Sequence, residues 1–196
     1  MQKKILPILT FIAILFLAES VYSQESVNPR KDKKDKSPTQ QDKIKWYSFE
    51  EAYKINKKKP RKIFIDVYTD WCGWCKRMDA ETFTNPVIVK YMSKNFYCVK
   101  LDAERKDTVI IDGVTFVNPN PNSKRSTHVL AQDLLNGNMS YPSYVFLNEK
   151  RMKMAVIPSY HPAKEFETII HYFGDDAFDK KIPWEDFRST FSGEIK

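Results

Sequence analysis

The sequence predicts an α/β domain, and three observations support this prediction. Signals for helices and strands alternate along the chain, which is the order expected of an α/β fold. Residues 62–68 are apolar and β-branched on both faces, as in a strand buried inside a sheet. The segment Trp71-Cys72-Gly73-Trp74-Cys75 follows this strand directly, so two thiols three positions apart open the next helix. A strand that passes straight into a helix is typical of a crossover connection.

Capping signals and apolar runs predict the elements of the first half of the domain. Ser48-Phe49-Glu50-Glu51 is a capping box, and it predicts a helix that ends near Asn56. The buried strand 62–68 follows, and the helix that begins at the cysteines is expected to end near Phe83. Asn85-Pro86 then starts a new helix, with asparagine as its cap and proline in its first turn.

The second half of the domain is predicted to contain two more sheet strands, a hairpin partner and a closing helix. Residues 96–101 and 144–147 are apolar runs of strand length. Residues 152–157 are expected to pair with the latter strand as a hairpin across 148–151. A closing helix is predicted over 162–174, since it begins at a proline and ends at a glycine.

A long insertion, about residues 103–140, separates the two strands of the second half, and it is too long for a simple connection. Asp112-Gly113 between β-branched runs predicts a hairpin over 109–117. A short helix is predicted over 128–136. Because the insertion ends where the next strand begins, it either forms a wall that selects substrates or is decoration, and the sequence leaves both open.

The amino-terminal residues predict where the protein works. Lys3 and Lys4 precede an apolar stretch over 5–18, so residues 1–23 have the layout of a cleavable secretory signal. An uncleaved anchor is the alternative, although a bilayer span needs roughly 20 apolar residues. Residues 24–45 are polar and of mixed charge, and they are expected to form a disordered linker. The protein is therefore expected to be exported, and periplasmic in a Gram-negative host.

The formal net charge of +7 comes partly from this linker and partly from the basic run 57–62. Nucleic-acid binding needs a basic face with interleaved aromatic residues, and the interspersed acids and the export signal argue against it. At the other end, Trp184, Phe187 and Phe191 repeat at helical spacing. Residues 176–196 are therefore expected to form a helical extension that packs on the domain.

The two cysteines of the segment indicate thiol–disulfide exchange. The thiolate is the nucleophile in this chemistry, so a redox cysteine needs a lowered pKa. Cys72 lies at a predicted helix start, where free N–H groups and the helix dipole favour negative charge, and Lys76-Arg77 adds positive potential. We expect Cys72 to attack the partner disulfide and the more recessed Cys75 to resolve the mixed disulfide.

Half of a structural zinc site is the alternative interpretation of two cysteines at this spacing. Such a site needs two further ligands, and Cys98 stands alone in an apolar strand, where it is expected to be a small buried hydrophobe. The three histidines lie in unrelated segments. No metal or other cofactor is therefore predicted.

The segment from Asp66 to Lys76 resembles the active-site segment of thioredoxin-fold proteins. The resemblance implies a thioredoxin-like fold over residues 46–175, with a central mixed β-sheet flanked by helices and the insertion before the cis-proline strand. In that family an acid six residues before the first cysteine assists proton transfer at the resolving thiol, and Asp66 stands there. A carboxylate in an apolar strand has a raised pKa and can act as a base. Lys100 resembles the family lysine that lies near this acid.

Tyr141-Pro142 resembles the second marker of the family, a cis-proline beside the disulfide that leaves a backbone edge free for an extended substrate. An ordinary trans proline that opens an edge strand is the alternative. The resemblance implies that Trp71, Gly73 and Trp74 contact the substrate together with Tyr141 and Pro142.

These observations predict an exported thiol:disulfide oxidoreductase that acts on disulfides or thiols of exported proteins. The Gly-Trp pair between the cysteines differs from the Gly-Pro of thioredoxin and the Pro-His of strong oxidants, so the direction stays open. Reduction is favoured over disulfide formation or isomerisation, because the segment looks nearer to thioredoxin. Reduction would need a membrane electron donor. The alternative is a non-catalytic thioredoxin-fold module that binds a peptide or protein partner.

Overall fold

The computed structural model describes residues 43–196 of the chain. The predicted signal segment and residues 24–42 of the predicted linker lie outside the described residues. Among the helices of residues 43–196, none is both long enough and apolar enough to cross a membrane.

The helices and strands follow one another in the predicted order, and nearly all of their bounds lie within two residues of the predicted ones. The strands are β1 (Trp46–Tyr47), β2 (Lys62–Tyr68), β3 (Phe96–Asp102), β4 (Val109–Ile111), β5 (Val114–Phe116), β6 (Ser143–Leu147) and β7 (Lys153–Pro158). The helices are α1 (Phe49–Lys58), α2 (Gly73–Arg77), α3 (Pro86–Asn95), α4 (Val129–Leu134), α5 (Ala163–Gly174) and α6 (Trp184–Thr190), with a π-helix over Met78–Thr82 between α2 and α3.

Five strands form one mixed sheet in the order β1-β3-β2-β6-β7. β2 runs parallel to β3 and antiparallel to β6, and β7 completes a hairpin with β6. The predicted α/β fold, a thioredoxin-like fold with a central mixed sheet flanked by helices, is thus confirmed. β1 was not predicted, because two residues are too few to show an alternating pattern.

Both faces of the central strand β2 are buried, which explains why residues 62–68 are apolar on both faces. Ile63, Ile65 and Val67 pack against α1 and α4 on one face of the sheet. Phe64 packs against α3 and α5 on the other face. Because side chains alternate along a strand, Asp66 shares the face of Phe64. This central strand therefore carries one carboxylate into an apolar layer.

The predicted helix from the cysteines to Phe83 is wrong in one respect. It is α-helical only over Gly73–Arg77 and continues as a π-helix, in which the Phe83 N–H donates to the Met78 carbonyl five residues earlier. Apolar periodicity over five residues does not distinguish these two helix types. The wider turn carries two carboxylates, those of Asp79 and Glu81.

The insertion forms the predicted hairpin, β4–β5, and the predicted short helix, α4. Asp112 and Gly113 make the turn with φ values of 50° and 82°, as in the tight turns that favour this pair. Val109 and Leu130 are buried in the same core cluster as α1. The insertion thus contributes to the core.

The carboxy-terminal residues after α5 also pack on the domain. The buried ammonium of Lys62, at the start of β2, forms an ion pair with Asp176. Trp184 and Phe187 of α6 pack against the core cluster on the α5 side, and Phe191 stacks on Phe187.

Candidate active site

The two cysteines of the motif form a disulfide at the start of α2. Cys72 is the residue that caps this helix, and the backbone N–H of Cys75 donates to its sulfur at 3.0 Å. Both cysteines are largely buried. Cys98 lies apart in β3 as a buried free thiol within residues 43–196, and burial raises its pKa. The disulfide therefore joins Cys72 and Cys75, and Cys98 takes no part in it.

Asp66 lies in β2 with only 1% of its surface exposed. Its Oδ2 atom is 2.6 Å from the Lys100 ammonium, whereas Oδ1 has no hydrogen-bond partner among the residues described. Burial raises the pKa of Asp66 to about 6, and the nearby Lys100 charge opposes the rise only in part. A carboxylate with this pKa can exchange a proton near neutral pH.

Lys100 reaches Asp66 from the neighbouring strand, where the two residues are direct partners in the β2–β3 register. The same ammonium forms a second ion pair, with Asp79 of the π-helix. Burial lowers the pKa of Lys100, but the two carboxylates outweigh this effect and raise it. The ammonium also lies about 5 Å above the rings of Trp46 and Tyr68. Lys100 therefore stays charged.

The peptide bond between Tyr141 and Pro142 is cis, as the resemblance implied. It precedes β6 and forms part of a groove of about 360 Å³. The groove is lined by Trp74, Ser140, Tyr141, Pro142, Ser159 and Tyr160. The Pro142 carbonyl accepts the Ser159 N–H, so this carbonyl is already occupied.

Two exposed tryptophans flank the disulfide. Trp71 and Trp74 keep 50% and 55% of their surfaces exposed, although both are held by neighbouring side chains. The Trp74 ring lies 5.4 Å from the Tyr160 ring and 5.4 Å from the Arg77 guanidinium. An exposed aromatic surface that is held in place is a suitable contact for a peptide.

Residues of the insertion hold Trp71 in place. The Trp71 indole N–H donates to the Glu104 carboxylate at 2.8 Å, and the Arg125 guanidinium lies 4.9 Å from the ring. The Tyr141 ring meets Trp71 edge to face at 6.0 Å. Of the two alternatives for the insertion, these contacts favour the wall beside the site.

Gly73, between the cysteines, is the first residue of α2 and is exposed. A Cβ atom built there would meet no atom within 4 Å, so the backbone leaves room for a larger residue. The exposed position beside the sulfurs makes Gly73 available to a bound substrate.

Sequence reasoning missed four residues that contact the predicted ones: Asp79, Glu104, Arg125 and Tyr160. Asp79 follows Cys75 by four positions, so helical spacing was a usable signal for it. The other three come from loops that approach the tryptophans only through the tertiary fold. Among residues 43–196, no group of three or more potential ligands is placed to hold a metal ion.

A family model described as "Thioredox_DsbH: Protein of unknown function, DUF255" matches residues 34–173 of the chain. This match covers the domain from β1 to Phe173, one residue before the end of α5.

Two curated relatives share parts of the sequence. Spermatogenesis-associated protein 20 of Mus musculus is 36% identical over 75 residues, which is 38% of this chain and 10% of that protein. The chain thus spans about a tenth of the length of this relative. An uncharacterized protein of Archaeoglobus fulgidus is 28% identical over 116 residues, 59% of this chain and 78% of that protein.

Solved structures with similar backbones include an oxidoreductase and a putative disulphide-isomerase. One is titled "DsbH Oxidoreductase", with a TM-score of 0.49, 17% identity, and coverage of 68% of this chain and 85% of that one. The other is a putative disulphide-isomerase from Bacteroides thetaiotaomicron, with a TM-score of 0.47, 22% identity, and coverage of 68% and 95%.

Proposed function

Because this chain belongs to the thioredoxin-like family described as Thioredox_DsbH (DUF255), we propose that it is an exported thiol:disulfide oxidoreductase that reduces disulfides in exported proteins. The observation that carries this proposal is the Cys72–Cys75 disulfide at a helix start, in a domain whose central strand holds the buried Asp66. The family description states no activity, so the activity is argued from the site.

The first step is attack by Cys72 in the reduced protein. Its thiolate bonds to one sulfur of the substrate disulfide, and the other substrate sulfur leaves as a thiolate. The Cys75 N–H, which points at the Cys72 sulfur, supports negative charge there. Lys76 and Arg77 in the same helix add positive potential.

The second step resolves the mixed disulfide. Asp66 takes the proton of the Cys75 thiol, and the new Cys75 thiolate bonds to the Cys72 sulfur. The second substrate sulfur then leaves as a thiolate, so two electrons have passed from the protein dithiol to the substrate. With a pKa of about 6, Asp66 is mostly ionised at neutral pH and still basic enough to accept a proton.

Each turnover leaves the protein oxidised, so a dithiol donor must return two electrons to Cys72 and Cys75. For an exported protein we assign this role to a membrane electron transmitter. Run in the opposite direction, the same residues oxidise a substrate dithiol, and the redox potential decides between the two directions.

The substrate is proposed to be an extended peptide that lies in the groove beside Tyr141 and Pro142. Trp71 and Trp74 would contact the peptide on either side of the reacting sulfur, with Gly73 between them. Trp71 is fixed by Glu104 and Arg125 of the insertion and meets the groove-lining Tyr141 edge to face, so the insertion supports one side of this groove through Trp71.

The equilibrium redox potential of the purified protein tests the proposed direction. A potential below about −240 mV would support the reductase, and one above about −180 mV would reverse the proposed direction. Cys98→Ser is the control, because the buried Cys98 thiol is expected to contribute nothing to the titration. If the Cys72–Cys75 pair does not titrate at all, the oxidoreductase proposal is wrong.

Mixed-disulfide trapping separates an oxidoreductase from a module that only binds its partner. In Cys75→Ser the resolving thiol is absent, so partner proteins are expected to accumulate on Cys72 through bonds that dithiothreitol releases. Cys72→Ser is the matched control and is expected to trap nothing. Complexes that survive unchanged in both variants, and that dithiothreitol does not release, would support the binding module.

Export is proposed from residues 1–23 alone and needs its own test. Cell fractionation is expected to recover the protein outside the cytoplasm with a mass that fits cleavage near Gln24. An intact amino terminus retained in the membrane would support the uncleaved anchor, and recovery from the cytoplasm would contradict export.

A further inference from the structure

We propose that Asp79 is a positioning residue for the resolving step, because it shares the Lys100 ammonium with Asp66 and so controls how firmly the Asp66 charge is held. This inference rests on the proposed function, since the step concerned is proton transfer from Cys75 to Asp66.

One cation serves two carboxylates at this place. The Lys100 ammonium is 2.6 Å from Asp66 Oδ2 and also contacts Asp79 Oδ1. The Asp66 side chain is 2% exposed and the Asp79 side chain 47%, so one carboxylate depends on Lys100 while the other also has water. Coulomb energies add pair by pair, so the Asp79 charge repels the Asp66 carboxylate across the shared ammonium and offsets part of the attraction by Lys100.

Asp79 is also linked to the redox pair through the backbone. It lies on the π-helix that continues α2 without a break, four residues after Cys75. The Met78 N–H donates to the Cys75 carbonyl, which joins the two helical segments. The resolving cysteine and the carboxylate that competes for Lys100 therefore belong to one helical run.

Other titratable groups near Asp66 and Lys100 do not provide this competition. Tyr68 of β2 is half-buried and Tyr144 of β6 is buried, and both phenols have raised pKa values, so both are neutral at neutral pH. Farther groups that act on these two phenols by charge or ring contact are Asp70, Asp102, Tyr160 and His161. Asp79 is thus the carboxylate that competes with Asp66 for Lys100 among the described residues.

The direction of the effect follows from the charges. Burial raises the pKa of Asp66, Lys100 lowers it, and the Asp79 charge raises it again. Removal of the Asp79 charge is therefore expected to lower the pKa of Asp66. More Asp66 is then ionised below pH 6, so resolution persists to lower pH, whereas the weaker base resolves more slowly on the alkaline plateau.

The test measures single-turnover resolution of a preformed mixed disulfide from pH 4.5 to 8 in Asp79→Asn. The ratio of the rate at pH 5 to the plateau rate is expected to be about three- to tenfold higher in Asp79→Asn than in the wild type. Glu81→Gln is the matched control, because Glu81 lies on the same π-helix with 49% exposure but pairs with Arg77. The acidic limb of the rate–pH profile of Glu81→Gln is expected to lie at the same pH as in the wild type.

A second measurement makes the result independent of activity. The carboxyl carbon of Asp66, followed by NMR across the same pH range, is expected to titrate at lower pH in Asp79→Asn and at higher pH in Lys100→Gln. An unmoved Asp66 titration in Asp79→Asn, or an equal shift in Glu81→Gln, would overturn the role of Asp79. Absence of mixed-disulfide resolution in the wild type would instead overturn the proposed function, and the NMR titration would still decide the role of Asp79.

Discussion

Two buried carboxylates, Asp66 in β2 and Glu167 in α5, have the same exposure of 1% and opposite surroundings. Asp66 faces a lysine with one oxygen and leaves the other without a hydrogen bond inside the described domain. Both oxygens of Glu167 accept backbone N–H groups, from Glu194 at 2.6 Å and from Ile195 at 3.0 Å. Burial alone therefore does not identify a functional acid.

The two carboxylates differ because Glu167 accepts hydrogen bonds from the backbone, whereas Asp66 accepts one from a charged side chain. Backbone N–H groups have no charge to share and cannot leave without moving the chain, so the Glu167 carboxylate serves as a clamp on the carboxy-terminal extension. The Lys100 ammonium is shared with Asp79, and one Asp66 oxygen remains open to a proton. A carboxylate with an open oxygen can change its protonation state within a fixed structure.

The largest expected effect comes from Asp66→Asn. The amide cannot accept the Cys75 proton, so resolution of the mixed disulfide is expected to slow by about 10²- to 10⁴-fold. The free energy of unfolding is expected to stay equal or to increase, because a costly buried charge is removed. Stopped-flow resolution and urea unfolding measure the two quantities. A variant that resolves at the wild-type rate would show that Asp66 is only a structural acid, like Glu167.

The next largest effect is expected in the pH dependence of stability, which depends on the ionisation of Asp66. Its pKa in the folded protein, about 6, lies above its ordinary value, so the folded state binds more protons between about pH 4 and pH 6. The Asp66 contribution to stability is thus present at acidic pH and is lost as pH rises through 6, by about 3 kcal/mol. Urea unfolding at several pH values measures this slope. The slope is expected to become smaller by this amount in Asp66→Asn, and an unchanged slope there would assign it to another group.

The smallest effect is expected from Glu167→Gln. The amide can accept one of the two N–H groups but presents its own NH₂ to the other, which is expected to cost about 1–3 kcal/mol of unfolding free energy. Resolution rates are expected to stay at the wild-type value, in contrast to Asp66→Asn. Glu165→Gln on the same helix is the control, because Glu165 is exposed and pairs with His161 at the surface. Equal losses in both variants would argue against the clamp.

The same comparison shows what the sequence could predict. Asp66 was predicted because it interrupts an apolar strand and stands where the resemblance to thioredoxin-fold proteins implies an acid, and both features are local. Glu167 gave no signal, because a glutamate in an amphipathic helix resembles a solvent-exposed residue and its partners lie 27 and 28 residues later. Strand bounds were predictable from apolar runs, whereas β1 was too short for any pattern.

The residues of the candidate site also fall into those that the sequence could predict and those that it could not. Cys72 and Cys75 belong to a short motif and were predictable from neighbouring residues, whereas the role of Pro142 was implied by the resemblance to thioredoxin-fold proteins. The contacts of Trp71 with Glu104 and Arg125 depend on how the insertion folds back to the disulfide. Contacts between residues far apart in sequence follow from tertiary packing, and a single sequence considered by itself does not reveal them.

The Glu167 clamp also sets an order of events during synthesis. When α5 has just been made, Glu167 lacks the N–H groups of residues 194 and 195, which come 27 and 28 residues later. Until then the place beside Glu167 that Gly193 fills is open, so water can hydrate the carboxylate while its two donors are missing. The nascent chain is therefore expected to fold α5 first and to place residues 194 and 195 on Glu167 only after both have been translated.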